Sequence, residues 1–237
     1  MATKDYCEKG FNAKEMFSGL RATITAPFFG NNVIEVSDLA EAYELALNSP
    51  GTVELTGMPV YQPEKIGLPK GASQLLFNDG AVVGRCIAAR KIVGETDCDI
   101  SKLLPIVREA VYNTRYRAMF KAEAIVGLDK DFMLKAHLLI PQGFENTLYS
   151  WMLNFQSITK EYERMYASSR LLDEPDIYIF SDPDWKHPDF PYGLTLFDPE
   201  HNCAIILGMR YFGEHKKGTL TLAWAVAARN GYVSCHG

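Results

Sequence analysis

With 237 residues, 47% of them hydrophobic and 22% charged, the chain has a globular composition and enough apolar material for one large core or two small ones. A net charge of −5 argues against the basic face that electrostatic nucleic-acid binding needs. No apolar run approaches the roughly 20 residues that span a bilayer, and the five cysteines, odd in number and without C-x-x-C spacing, point to reduced thiols in a cytoplasmic protein rather than a disulfide frame or a zinc site.

The N-terminal stretch MATKDYCEKGFNAKEMF has no hydrophobic signal core. No repeat, low-complexity tract or linker interrupts the chain, which predicts one domain over residues 1–237. Ser37 is placed to cap an amphipathic helix in DLAEAYELALNS, with Asp38 and Glu41 in its positive first turn, and Pro50-Gly51 ends it. GTVELTG reads as a short strand, and the Pro/Gly-rich MPVYQPEKIGLPKGA after it as a loop. SQLLF and AVVGRCIAARKIVG, separated by Asn78-Asp79-Gly80, read as a hairpin.

Asp99 is expected to cap a helix that runs through LLPIVREAVYNTRYRAMF, with Pro105 early in it. KAEAIVGL and FMLKAHLLI read as strands. FENTLYSWMLNF and ITKEYERMYASSRLL read as helices, and DIYIF, GLTLF and CAIILGM as three more strands. A helix over residues 218–229 and a strand YVSC close the chain. Irregular interleaving of this kind predicts an α/β domain with a mixed β-sheet and helices on its faces.

The chemistry concentrates in YFGEHKKG. A helix starting at Gly218 presents its first-turn N–H groups to Lys216 and Lys217, which makes an anion site. The same positive potential disfavours an ammonium and favours a neutral amine on one of the two lysines. A solvated turn is the alternative. His236 follows the apolar strand, and in open α/β sheets ligands gather at the carboxyl ends of strands. His137 alternates with apolar residues and reads as a core or pocket-wall histidine. Asp182, Asp184, His187 and Asp189 resemble a carboxylate-rich metal loop, but Pro183, Pro188 and Pro191 favour a rigid surface loop. Cys235 reads as a buried thiol, and no G-x-S-x-G elbow is present.

ILGMRYFGEHKKG, then a helix, then YVSCH resembles phosphoenolpyruvate carboxykinase of the ATP-dependent class. That family has Tyr-Gly-Gly-Glu-x-Lys-Lys-Gly before a helix and a short strand ending in Met-His. Here the stretch runs from Tyr211 to Gly218 and the histidine arrives at 236 without a gap. Upstream, GRCIAARKIV stands in the place of the family's Gly-Arg-Ser-Pro-Lys-Asp-Lys, which puts Arg85 on the family's substrate arginine. The resemblance covers most of residues 50–237.

It implies the fold of the family's N-terminal, substrate-side domain and the conversion of oxaloacetate and ATP to phosphoenolpyruvate, carbon dioxide and ADP in gluconeogenesis. Lys217 and His236 would hold a divalent metal, Mn2+ or Mg2+. Arg85 would grip a carboxylate of the small-molecule substrate, and Tyr211 would line the pocket. A phosphate-cradling G-x-x-x-x-G-K-[ST] loop is absent from the sequence. ATP binding is therefore expected from a further domain after Gly237, and no turnover from these residues alone. Cys86-Ile87 replaces the family's Ser-Pro, and Ala88 its lysine, for which Arg90 or Lys91 is a substitute. Phe212 replaces a glycine, and Gly237 a cysteine. These departures bear on the organic substrate more than on the metal. A different carboxylate acid, or a non-catalytic carboxylate-binding module, are the alternatives.

Overall fold

The computed structural model describes residues 18–68 and 89–234. Their elements in chain order are α1 (Gly19–Thr25), β1 (Val33–Val36), α2 (Leu39–Leu47), β2 (Thr52–Leu55), β3 (Met58–Tyr61), β4 (Arg90–Ile92), α3 (Ile100–Asn113), β5 (Met119–Asp129), β6 (Phe132–Pro141), α4 (Glu145–Met152), β7 (Gln156–Ser157), α5 (Lys160–Ser168), β8 (Ile177–Asp182), β9 (Leu194–Asp198), β10 (Cys203–Leu207) and α6 (Phe212–Arg229). The expected α/β architecture is present. Eight strands form a mixed sheet in the order β1-β5-β6-β8-β10-β9-β4, with β7 beside β5, while β2 and β3 form a separate hairpin. β6, β8 and β10 run parallel, and β9 is antiparallel to β10. β4 lies parallel to β9 and is the last strand of the sheet on that side among the described residues.

Alternation along the strands sorts the core into two faces. Ala204 and Ile206 of β10 join Leu148, Trp151, Leu222 and Val226 on the face covered by α2, α4 and α6. Cys203, Ile205 and Leu207 face the other way, onto Leu20 and Ile24 of α1 and Leu103 and Val107 of α3. The central strands are buried on both faces, which is why they read as unbroken apolar runs. Among the described residues no helix is long and apolar enough to cross a membrane.

Several boundaries differ from the sequence reading. The cap of α2 is Asp38, whose carboxylate accepts from the Glu41 N–H, while Glu41 reaches back to the N–H and hydroxyl of Ser37. The expected loop at MPVYQP contains β3, because Pro59 sits in a two-stranded hairpin where a missing N–H is tolerated. Helix α3 is capped by Asp99 as expected but stops at Asn113, and Met119 and Phe120 open β5 instead. The tail YVSC begins without strand structure at Tyr232 to Ser234. The hairpin expected around Asn78-Asp79-Gly80 lies outside the described residues; its last residues form β4.

His137 of β6 is buried, as its alternation implied, and it is clamped. Nε2 is hydrogen-bonded to Asp176 at 3.0 Å, and Nδ1 lies 3.1 Å from Glu123 as an ion-pair contact off the hydrogen-bond axis. The Tyr178 ring stacks on the imidazole at 4.3 Å. Burial alone lowers the His137 pKa, but the Asp176 and Glu123 contacts reverse this and leave it raised. Burial likewise raises Glu123, and the His137 and Lys121 contacts outweigh it, drawing its pKa down to about 2. The stabilisation from His137 is therefore complete below its unfolded value near 6.5 and lost as pH rises through the raised folded value. That from Glu123 is present above about 4.5 and lost as pH falls toward 2. His137→Gln is expected to cost about 1–3 kcal/mol at pH 5.5 and less at pH 8.5. Urea titrations at the two pH values check this, and an equal cost at both would contradict the charged clamp.

Candidate functional site

Because β6, β8 and β10 are parallel, their carboxyl ends lie on one edge of the sheet. The antiparallel register brings the start of β9 to the same edge, Leu194 beside Leu207, and the parallel register adds the start of β4, Arg90 beside Thr195. Asp182 ends β8, and Arg210 and Tyr211 follow β10 and lead into α6. The sheet thus collects Arg90, Asp182, Asp184, Arg210, Tyr211, Glu214 and Lys217 where ligands of open α/β sheets gather.

Helix α6 starts at Phe212, six residues before the position read from the sequence, with Tyr211 as its N-cap. The reason is Gly218. It does not open the helix; it lies within it, against Phe197, where an added Cβ would stand 3.0 Å from the ring. The glycine serves close helix–sheet packing. In consequence Lys216 and Lys217 occupy the second turn of α6 and do not precede its N-terminus, so the proposed effect of first-turn N–H groups on those lysines loses its geometric premise.

Four contacts fix the first half of α6. Arg90 of β4 reaches the buried Glu214 through two parallel hydrogen bonds, Nε to Oε1 and Nη2 to Oε2, each 2.7 Å. The Glu214 bonds hold the Arg90 guanidinium above its usual pKa despite its partial burial. His215, fully buried, pairs its Nε2 with the Ser181 hydroxyl of β8 at 2.8 Å. Burial draws its pKa down to about 4, against an opposing pull from the Tyr211 and Phe212 carbonyls, so the imidazole is neutral at physiological pH. The Trp151 indole N–H of α4 donates to the Thr219 hydroxyl at 2.9 Å, and that hydroxyl donates to the His215 carbonyl at 2.9 Å.

On this platform the Tyr211 ring folds over Gly213, so closely that a Cβ there would overlap the phenol. The exposed Lys217 ammonium stands 5.9 Å from the centre of the same ring. Tyr211 and Lys217, both expected at the site, are therefore neighbours. Neither Lys216 nor Lys217 pairs with a carboxylate among the described residues. Arg85 and His236, the other two expected site residues, lie outside the described residues, as does Cys235. Among the described residues no group of three or more His, Cys, Asp or Glu side chains is arranged to hold a metal ion.

Of the two cations weighed as substitutes after Arg85, Arg90 turns to α6 and Lys91 pairs outward with Asp97 at 2.6 Å. The loop after β8 is structural, as its prolines implied. Arg117 binds Asp182 at 2.9 Å and lies 3.7 Å from Asp184, which also pairs with Arg210. Burial raises the Asp182 pKa, and Arg117 opposes that rise. His187 stacks on Trp185 and meets Phe190 edge-on. The Arg90–Glu214 and Arg210–Asp184 pairs had no local signal in the sequence, since each joins segments more than twenty residues apart. No protein-family model and no curated protein matches this chain.

Proposed function

We propose that this edge of the sheet is the substrate side of a carboxykinase-like enzyme, one that decarboxylates an oxo acid and phosphorylates the enolate with ATP. One observation carries the reading: the Arg90–Glu214 clamp joins the segment that follows Arg85 to the helix that carries Tyr211 and Lys217. Two stretches that resemble the family separately thus meet at a strand edge suited to ligands. In this reading Arg85 holds a substrate carboxylate through a two-pronged contact that a point-charge lysine does not reproduce. Tyr211 forms the wall beside it, its ring kept in place by Gly213 beneath.

Lys217 and His236 are the proposed holders of a divalent ion. Lys217 fits that role in one respect: its amine is not engaged by a carboxylate among the described residues. When bound, such an ion supplies Lewis-acid stabilisation of enolate charge. The Lys217 ammonium lies within reach of the Tyr211 ring, 5.9 Å from its centre. ATP would come from elsewhere in the protein. A reducing, cytoplasmic setting belongs to the same reading, and the free Cys98 and Cys203 accord with it.

In the intact protein, Lys217→Ala is expected to weaken Mn2+ binding by at least about 10–100-fold, the range lost when only an outer-shell partner of a ligand is removed. Electron paramagnetic resonance of free Mn2+ measures it, and unchanged affinity would remove Lys217 from the metal. Steady-state assay with oxaloacetate and ATP then separates two substrates. Phe212, where the family has glycine, lines a cleft beside Tyr211, which favours a second reading with a different carboxylate acid. Robust phosphoenolpyruvate formation would eliminate that second reading.

A further inference from the structure

The cleft that Phe212 lines is bounded by elements the carboxykinase-like reading does not use. Its volume is about 240 Å³, and Pro59, Val60 and Tyr61 of β3, Asn146, Thr147 and Ser150 of α4, and Arg210 complete its walls. That space suits a small organic molecule, being several times the roughly 30 Å³ a water occupies in the liquid. Its polar groups lie on two sides, and Phe212, Pro59 and Val60 supply the apolar remainder.

Among the described residues, Arg210 is the one cationic side chain in this lining. Its guanidinium bonds Asp184 through Nη2 and lies 4.9 Å from the centre of the Phe144 ring. A guanidinium carries five N–H donors in a fixed fork, and the Asp184 bond uses only part of that capacity. The Tyr61 hydroxyl stands near Arg210 but is buried and makes no hydrogen bond of good geometry among the described residues. A buried hydroxyl of this kind is expected to have a partner. Asn146, also in the lining, is fixed by its bond to Thr52 at 3.0 Å. The Arg117, Asp182, Asp184 and Arg210 network balances two cations against two carboxylates, which favours a ligand group of low charge over a multiply charged one.

We propose that this cleft seats a carboxylate of a small organic acid, with Arg210 as its anchor, the Tyr61 hydroxyl as a second donor, and Asn146, Thr147 and Ser150 around the remainder of the molecule. Placed one residue from Tyr211, it gives the acid of the carboxykinase-like reading a second carboxylate arm, and in that respect rests on the reading. The carboxylate site itself stands on Arg210 and the cleft alone.

The test uses succinate as the dicarboxylate probe, succinamide as its uncharged counterpart and inorganic phosphate as the competing anion. Binding is followed by backbone amide shifts in the protein. Succinate is expected to shift Asn146, Thr147, Ser150 and Phe212, with succinamide at least tenfold weaker. Arg210→Gln should weaken succinate about tenfold or more, the scale of one charge-assisted hydrogen bond. Ser150→Trp, which fills the cleft and leaves Arg210 in the sequence, should abolish the shifts while the protein remains folded. Succinate shifts confined to other residues, or succinate binding in Arg210→Gln or Ser150→Trp as tight as in the unsubstituted protein, would overturn the site. Phosphate binding as tight as succinate at the same residues would overturn the carboxylate assignment. Lys217→Ala should leave succinate binding in the cleft unchanged, so failure of the metal assignment and failure of this site give separate results.

Discussion

Arg90→Ala is expected to lower folding stability by about 3 kcal/mol, among the larger single-residue effects in this protein. The cost comes from what remains behind. Glu214, with a side chain only 4% exposed, keeps its carboxylate in the first turn of α6 without its cation. The helix N-terminus recovers a little of the loss, since negative charge is favoured there by about 0.3–1 kcal/mol. Urea denaturation measures the cost. Arg90→Met combined with Glu214→Leu should recover most of it, because two apolar side chains leave no unpaired charge. A double variant as unstable as Arg90→Ala would mean that the damage lies in strand packing. The same single variant tests the site, since it releases the first turn of α6 from β4 and with it the seat of Tyr211.

Trp151→Ala is expected to cost about 3–5 kcal/mol, because the indole is fully buried between α4, α6 and the sheet and its removal leaves a cavity. Trp151→Phe divides that figure. It retains much of the ring volume and loses the bond to Thr219, so about 1–2 kcal/mol is expected from the polar part. Thermal or urea unfolding of the two variants checks the division. A phenylalanine variant as damaged as the alanine variant would assign the indole N–H, and not the ring, the main role. Since Thr219 also holds the His215 carbonyl, both variants loosen the start of α6.

Much of the fold could be read locally, and the exceptions have physical causes. β6, β8 and β10 were legible because strands buried on both faces are continuous apolar runs. The end of α3 was not. RYRAMF contains no breaker, and the chain turns there because the Asn32 side chain, more than eighty residues away, donates to the Thr114 and Arg117 carbonyls. β3 was hidden by Pro59, which a two-stranded hairpin accepts. Gly218 misled for the opposite reason, a glycine chosen for packing being indistinguishable by pattern from one that opens a helix. At the site, Tyr211 and Lys217 were legible as a motif, whereas Arg210 appeared only as one more basic residue. Its role depends on Asp184, Phe144 and the cleft, which the sheet brings together.

The three-residue strand β4 has a kinetic consequence. It joins the sheet at the edge through Arg90, Lys91 and Ile92 against Thr195, Leu196 and Phe197, and its clamp spans 124 positions of the chain. Contacts of such long range form after the entropy of closing the loop has been met. The Tyr211 corner is therefore expected to be completed late in folding, after β9, β10 and α6 have docked. A short strand that is outermost among the described residues is also expected at the low end of local opening free energies. A ligand that bridges β4 and α6 should slow amide hydrogen exchange in Lys91 and Ile92 far more than in the central strand β6.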